Sequence, residues 1–173
     1  LAEAGLLNVG LDPDRGGPAT ARSHLALALA AFELAAVDTG AAITVLAAHL
    51  ALAPILARGT AEQRGRYLPA AAPAPDARRA APARGAFCLT EPIPFASAKR
   101  GPLGGRVRIA DWPPEGEPIL QVDKRGRFTS NMDFAEFVVA AVDSADPRIA
   151  GSCMVILEQG DPGTYDRGPA TRK

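Results

Sequence analysis

Apolar residues recur at spacings of three and four through the first third of the chain. Leu25, Leu29, Phe32 and Ala36 form one such series, which predicts an apolar face on a helix over 20–37, opened by Thr20 or Ser23 as N-cap. Asp38-Thr39-Gly40 interrupts the pattern, and a second helix is predicted over 40–57. Gly59 can take the left-handed conformation that closes a helix. Thr60 with Gln63 three positions on is a capping-box signature for a short helix over 61–67, which Pro69 should stop. Before these helices come a short apolar turn, Leu1 to Leu7, and a loop over 8–18.

The texture changes after residue 70. Residues 70–84 have neither periodicity nor large apolar side chains, and read as a connector. From Ala86 short β-like runs alternate with Gly and Pro: Ala86 to Thr90, Gly105 to Ala110, Pro118 to Val122, Arg127 to Ser130, Phe137 to Asp143 and Ser152 to Glu158. Such spacing suggests a barrel or sandwich. The predicted fold class is α+β, an N-terminal helical subdomain followed by an antiparallel β-barrel-like domain. Its boundaries are 1–75 for the helical part, 76–84 for the connector and 85–173 for the β-domain. A Rossmann sheet is disfavoured, because βαβ alternation, GxGxxG and a P-loop are all missing.

Charge narrows the partners. Lys plus Arg is 19 and Asp plus Glu is 19 across 173 residues, so the cation surplus that a nucleic-acid backbone demands is missing. Cys88 and Cys153 are the only cysteines; they make no disulfide framework and fit a reducing, cytoplasmic setting. With His24 and His49 they lack ligand spacing, so no metal site is expected. His49, on an apolar helix face, reads as a core histidine. The Asp12/Asp14 loop lacks the closing Glu of a calcium loop and reads as a turn. The apolar stretch 41–57 approaches the length of a membrane span, but it holds His49 and Pro54 and follows Glu33 and Asp38; a buried helix is expected. The start at Leu1, without a basic n-region, gives no sign of a signal peptide and suggests a piece of something longer.

Specific residue order appears at Phe87-Cys88-Leu89-Thr90-Glu91-Pro92. A strand ending in Leu-Thr-Glu-Pro resembles the flavin-binding signature of acyl-CoA dehydrogenases. Other segments resemble that family in matching order: Leu1 to Leu7 followed by Gly16-Gly17, Phe32-Glu33-Leu34-Ala35 with Asp38, and Gly59 to Gln63 with Arg66-Tyr67-Leu68-Pro69. Phe128-Thr129-Ser130-Asn131 is similar to the family's Trp-Ile-Thr-Asn, and Val155 to Gly163 to the strand and turn closing its middle β-domain.

The resemblance implies FAD as cofactor and α,β-dehydrogenation of an acyl-CoA thioester, with hydride passing to flavin N5. It implies cofactor-binding roles for Phe87, Cys88, Leu89, Thr90, Phe128, Thr129 and Ser130, with Ser130 in the place of a Thr near N5 and Phe128 in the place of a Trp beside the ring. The family's Gly-Ala-Gly-Ser-Asp after Glu-Pro is here Ile93-Pro94-Phe95-Ala96-Ser97. Ser97 is the substrate-contact candidate, one position late. Basic residues at Lys99, Arg100, Arg106, Arg108, Lys124, Arg125 and Arg127 are expected at solvated turns, with attraction of CoA phosphates as the functional alternative. In the family the catalytic base, a Glu, lies in a C-terminal helical domain, which is absent from these residues; none of the carboxylates here is assigned that role. The implied partners are the acyl-CoA substrate, an electron-transfer flavoprotein and further copies of the chain in a homo-oligomer. Two rivals stand beside this reading. One is another flavoenzyme on the same scaffold, an acyl-CoA oxidase or flavin monooxygenase; the other is a non-catalytic acyl-CoA-binding module that has lost FAD.

Overall fold

The structure, a computed structural model, describes residues 1, 3–15, 17–18, 23–71, 83–91 and 103–161. Three helices come first: α1 (Ser23–Val37), α2 (Thr39–Arg58) and α3 (Ala61–Ala70). Five strands follow: β1 (Gly85–Cys88), β2 (Arg106–Asp111), β3 (Ile119–Asp123), β4 (Phe137–Ser144) and β5 (Ser152–Glu158). Short 3-10 turns lie at Leu6–Asn8, Pro13–Arg15 and Met132–Phe134. The chain divides into two compact units, one of residues 1–87, 130–138 and 158–173, the other of 88–129 and 139–157.

Helix starts follow capping chemistry. Asp38 adopts extended backbone and its carboxylate accepts the Ala41 N–H at 3.1 Å, so the residue that breaks the apolar pattern opens α2. Thr60 and Gln63 form the capping box in both directions, at 3.1 and 2.9 Å. Two details differ from expectation. Gly59 is extended (φ −60°, ψ 153°), not left-handed; a side chain there would bring a Cβ to 2.5 Å from the Ile55 carbonyl oxygen. Pro69 does not end α3, which continues to Ala70.

In the first unit α2 is the core helix, with Ala42, Val45, Ala48, Ala51, Leu52 and Ile55 buried. Its 20 residues and mean hydropathy of 2.0 meet the length and apolarity of a membrane span, while this continuous buried stripe is what a core helix of a folded domain presents. The predicted face of α1 does not turn inward: Leu25, Leu29 and Phe32 are 48%, 55% and 72% exposed. Ala26, Leu27, Ala30, Ala31 and Leu34 are its less exposed positions. Because α1 is apolar all round, periodicity alone could not choose its inner face.

The sheet runs in the order β1-β4-β2-β3, with β5 also pairing β4. β4 is buried at every position from Phe137 to Val142, the continuous apolar run of a central strand. β2 pairs β3 antiparallel, with a shift between Ile109 and Asp111, and pairs β4 in parallel through Arg106↔Asp143 and Val107↔Ser144. The order helices then strands is as predicted; the sheet is mixed and open rather than wholly antiparallel and closed. Strand periodicity sets which side chains share a face and says nothing about partner direction. The run Arg127 to Ser130, expected as a sixth strand, is irregular.

Candidate functional site

β1 ends at Cys88, after which Leu89 and Thr90 are exposed and Glu91 is buried. The Glu91 carboxylate accepts the Gly104 N–H at 2.6 Å, the Gly105 N–H at 2.7 Å and the Lys124 ammonium at 2.5 Å. Burial alone would raise the Glu91 carboxyl; Lys124 and the two backbone donors outweigh it and hold the group below the usual carboxylate range. Glu91 is thus a carboxylate locked in its charged state, which suits a structural anchor and not a proton-abstracting base.

Two segments more than thirty positions apart meet here. Lys124 Nζ also donates to the Leu89 carbonyl at 3.1 Å, and the Arg127 backbone N–H donates to the Thr90 carbonyl at 2.8 Å. A Cβ at Gly126 would collide with Cys88 Sγ, so glycine lets the loop close onto the strand end. Within this unit the structure therefore brings together Cys88, Leu89 and Thr90 with the loop that carries Phe128 and Thr129. The two carbonyls at 89 and 90 are engaged internally, and the Thr90 hydroxyl stands on an exposed residue.

Phe128 has φ 54°, a left-handed conformation that is costly for a bulky residue, and it is 79% exposed. The Arg127 guanidinium lies over its ring at 5.3 Å from the centroid. A strained backbone here holds an aromatic ring out of the protein, where burial cannot reward it. The same φ explains why 127–130 forms no strand.

Phe87 and Ser130 belong to the other unit, both half-buried. Behind Ser130, Asn131 adopts φ 68° and its buried side-chain amide donates to the carbonyls of Thr44 at 2.9 Å and Gly85 at 3.4 Å. Asn131 thereby fixes the chain just after Ser130 to α2 and to the start of β1. Ser97, with the rest of 92–102 including Lys99 and Arg100, lies outside the described residues.

Some basic residues depart from the expectation of solvated turns. Lys124 is half-buried as a residue, but its side chain is only 4% exposed. Arg106 and Arg108 lie on β2 rather than in turns but are solvated as expected: Arg108 is exposed and bonds Gln121 at 2.6 Å, and Arg106, its side chain 41% exposed, stands 3.9 Å from Asp143. Sequence spacing gave no signal for the Glu91 and Lys124 pair. His49 behaves as a core histidine: burial lowers its pKa against a backbone hydrogen bond at Leu6, and its Nε2 accepts the Gly10 N–H at 3.5 Å. The Asp12 loop is a turn, its carbonyl accepting from Arg15 and Gly17 and its carboxylate paired with Arg15.

This architecture, capped helices leading into an open mixed sheet, is the fold of the helical and middle domains of acyl-CoA dehydrogenases. Residues 1–74 match the family model "Acyl-CoA dehydrogenase, N-terminal domain", and the resemblance carried by the motifs is upheld by the solved structures. An acyl-CoA dehydrogenase from Bacillus anthracis, complexed with FAD, is 25% identical with a TM-score of 0.64, over 92% of this chain and 25% of that one. Glutaryl-CoA dehydrogenase from Mycobacterium smegmatis is 24% identical with a TM-score of 0.71, over 94% and 37%. A prolyl acyl carrier protein oxidase shares the fold at 20% identity and a TM-score of 0.64, over 94% and 39%. The chain thus spans between 25% and 39% of the length of these structures. No curated protein matches it.

Proposed function

We propose that this chain supplies the flavin-facing and substrate-facing domains of an FAD-dependent oxidoreductase that dehydrogenates an acyl-CoA thioester at its α,β bond. The observation that carries this reading is the fastening of the exposed Thr90 to the loop of the exposed Phe128 by the Arg127 N–H. The family match over 1–74 and the FAD complex of the Bacillus anthracis relative support it.

The residues fit such a group. A flavin needs a flat apolar surface and hydrogen-bond donors for its polar edge, and it supplies a ring that accepts hydride. Phe128 offers the surface, and Thr90 a hydroxyl donor. Cys88, Leu89 and Thr129 are further proposed contacts in the same unit; Phe87 and Ser130, which belong to the other unit, are proposed from the resemblance alone, Ser130 as a hydroxyl that would hydrogen-bond the flavin. Ser97 is proposed to contact substrate. On this reading 1–75 is the helical domain, 76–84 a connector and 85–173 the middle domain. The proton-abstracting carboxylate lies outside residues 1–173, so these residues alone are inactive. Acyl-CoA, an electron-transfer flavoprotein and further copies of the chain are the proposed partners.

Titration with FAD tests the cofactor. Quenched flavin fluorescence and a raised melting temperature are expected, and binding adds stability with ligand concentration. No change in either, at FAD well above micromolar, replaces this reading with a binding module that has lost its flavin. A second reading, an oxidase on the same scaffold, is favoured by the likeness to the prolyl acyl carrier protein oxidase. Rapid reoxidation of the reduced flavin by oxygen selects it.

A further inference from the structure

We propose that Glu91 and Lys124 form a buried clamp that sets Thr90 against the loop carrying Phe128, which makes Lys124 a positioning residue of the flavin site. The functional part rests on the flavin reading above; the clamp rests on geometry alone. Both side chains are 4% exposed. A lysine at a turn ordinarily extends into water, and withdrawing its ammonium is costly unless partners replace the solvent. Here Nζ has two acceptors, Glu91 Oε1 at 2.5 Å and the Leu89 carbonyl at 3.1 Å, both from the segment that follows β1.

Glu91 extends the clamp to a third segment. Its Oε2 takes the Gly104 N–H, and its Oε1 takes the Gly105 N–H beside the ammonium. The loop from Lys124 is then tied again at Arg127, whose N–H meets the Thr90 carbonyl at 2.8 Å. Between those two ties stands Gly126, where any side chain would meet Cys88 Sγ. The backbone leading into Phe128 is therefore held at both ends to residues 88–91. A buried ion pair is often no more stabilising than a packed apolar pair, but an apolar pair could not take up the Leu89 carbonyl or the two glycine amides. The pair specifies an arrangement, and that arrangement holds the proposed flavin contacts Cys88, Leu89 and Thr90 against the loop of Phe128.

The test uses the full 173-residue chain. Amide hydrogen exchange is measured at Arg127, with the β2 and β3 ladder as internal reference, together with FAD affinity and the visible circular dichroism of bound flavin. Lys124→Met should speed exchange at Arg127 at least tenfold relative to the ladder, weaken FAD about tenfold and change the dichroism. Lys124→Arg should recover most of each effect, and Arg125→Ala should cause none. Should Lys124→Met fail to fold, Glu91→Gln, which keeps the shape and removes the charge, should shift Arg127 exchange in the same direction. Unchanged exchange at Arg127, or equal acceleration across the ladder, overturns the clamp. If the unsubstituted chain binds no FAD, the flavin reading and the positioning role fall together, while the exchange contrast still decides the clamp.

Discussion

The Tyr67 hydroxyl donates to Glu158 Oε1 at 2.5 Å across 91 positions of sequence, joining α3 to the end of β5. Arg66 reaches the other oxygen of the same carboxylate at 2.6 Å. The Tyr67 ring packs on Phe137 with centroids 5.0 Å apart.

This contact predicts an alkaline limit to stability. Burial, then the hydrogen bond and charge of Glu158, push the Tyr67 pKa up to about 12. Folding favours the protonated phenol, so its contribution is whole below the unfolded value near 10 and is lost as pH rises towards 12. Tyr67→Phe should be less stable at pH 7 and melt lower, by about 1.5–3 kcal/mol of unfolding free energy for a hydrogen bond to a charged group. The difference should shrink to nothing between pH 10 and 12 in paired melting curves. A constant difference across that window would contradict the assignment.

Asn131 combines a left-handed backbone with two side-chain hydrogen bonds, and two substitutions separate these contributions. Asn131→Gly keeps the conformation and loses the bonds; Asn131→Ala loses both. Each removes the side-chain donor to the Gly85 carbonyl and a second donor to the Thr44 carbonyl, which as part of α2 also accepts within the helix, at about 0.5–1.5 kcal/mol per hydrogen bond, and Ala should be the worse by about 1 kcal/mol. Urea unfolding measures the order. An Ala variant as stable as Gly would mean that φ 68° carries no penalty.

Phe128 predicts a conflict between stability and binding. Its side chain buries little and its backbone is strained, at a cost on the order of 1–3 kcal/mol. Phe128→Gly releases that strain and raises unfolded-chain entropy by about 0.5–1 kcal/mol. The melting temperature should hold or rise while FAD affinity falls. A clear drop in melting temperature would show that the ring supports the fold.

The helices were legible because their ends carry local chemistry: Asp38, Thr60 and Gln63 act within three or four positions of themselves. The strands were legible as apolar runs, except where one dihedral decided otherwise. Arg-Phe-Thr-Ser has the composition of a strand, and nothing in it announces that Phe128 turns to positive φ. The two flavin-like segments could be named from residue order. Their fastening through Lys124 and Arg127 could not, because a long-range pair leaves no periodicity. Nor could the direction of β4, since its continuous apolar run from Phe137 to Val142 reports burial on both faces and not which way each neighbour runs.

The parallel pairing of β2 with β4 also has a consequence in time. β3 joins β2 through the local connection 112–118, and a hairpin closes in about 1–10 μs. β4 must come from much further along the chain, and the Asp146 carboxylate that follows it catches the Ile109 N–H across 37 positions at 3.1 Å. Closing that larger loop loses more chain entropy before any contact compensates it. The hairpin is therefore the early event in this unit and the arrival of β4 the slow one, with Asp146 latching a register that the nascent hairpin can only await.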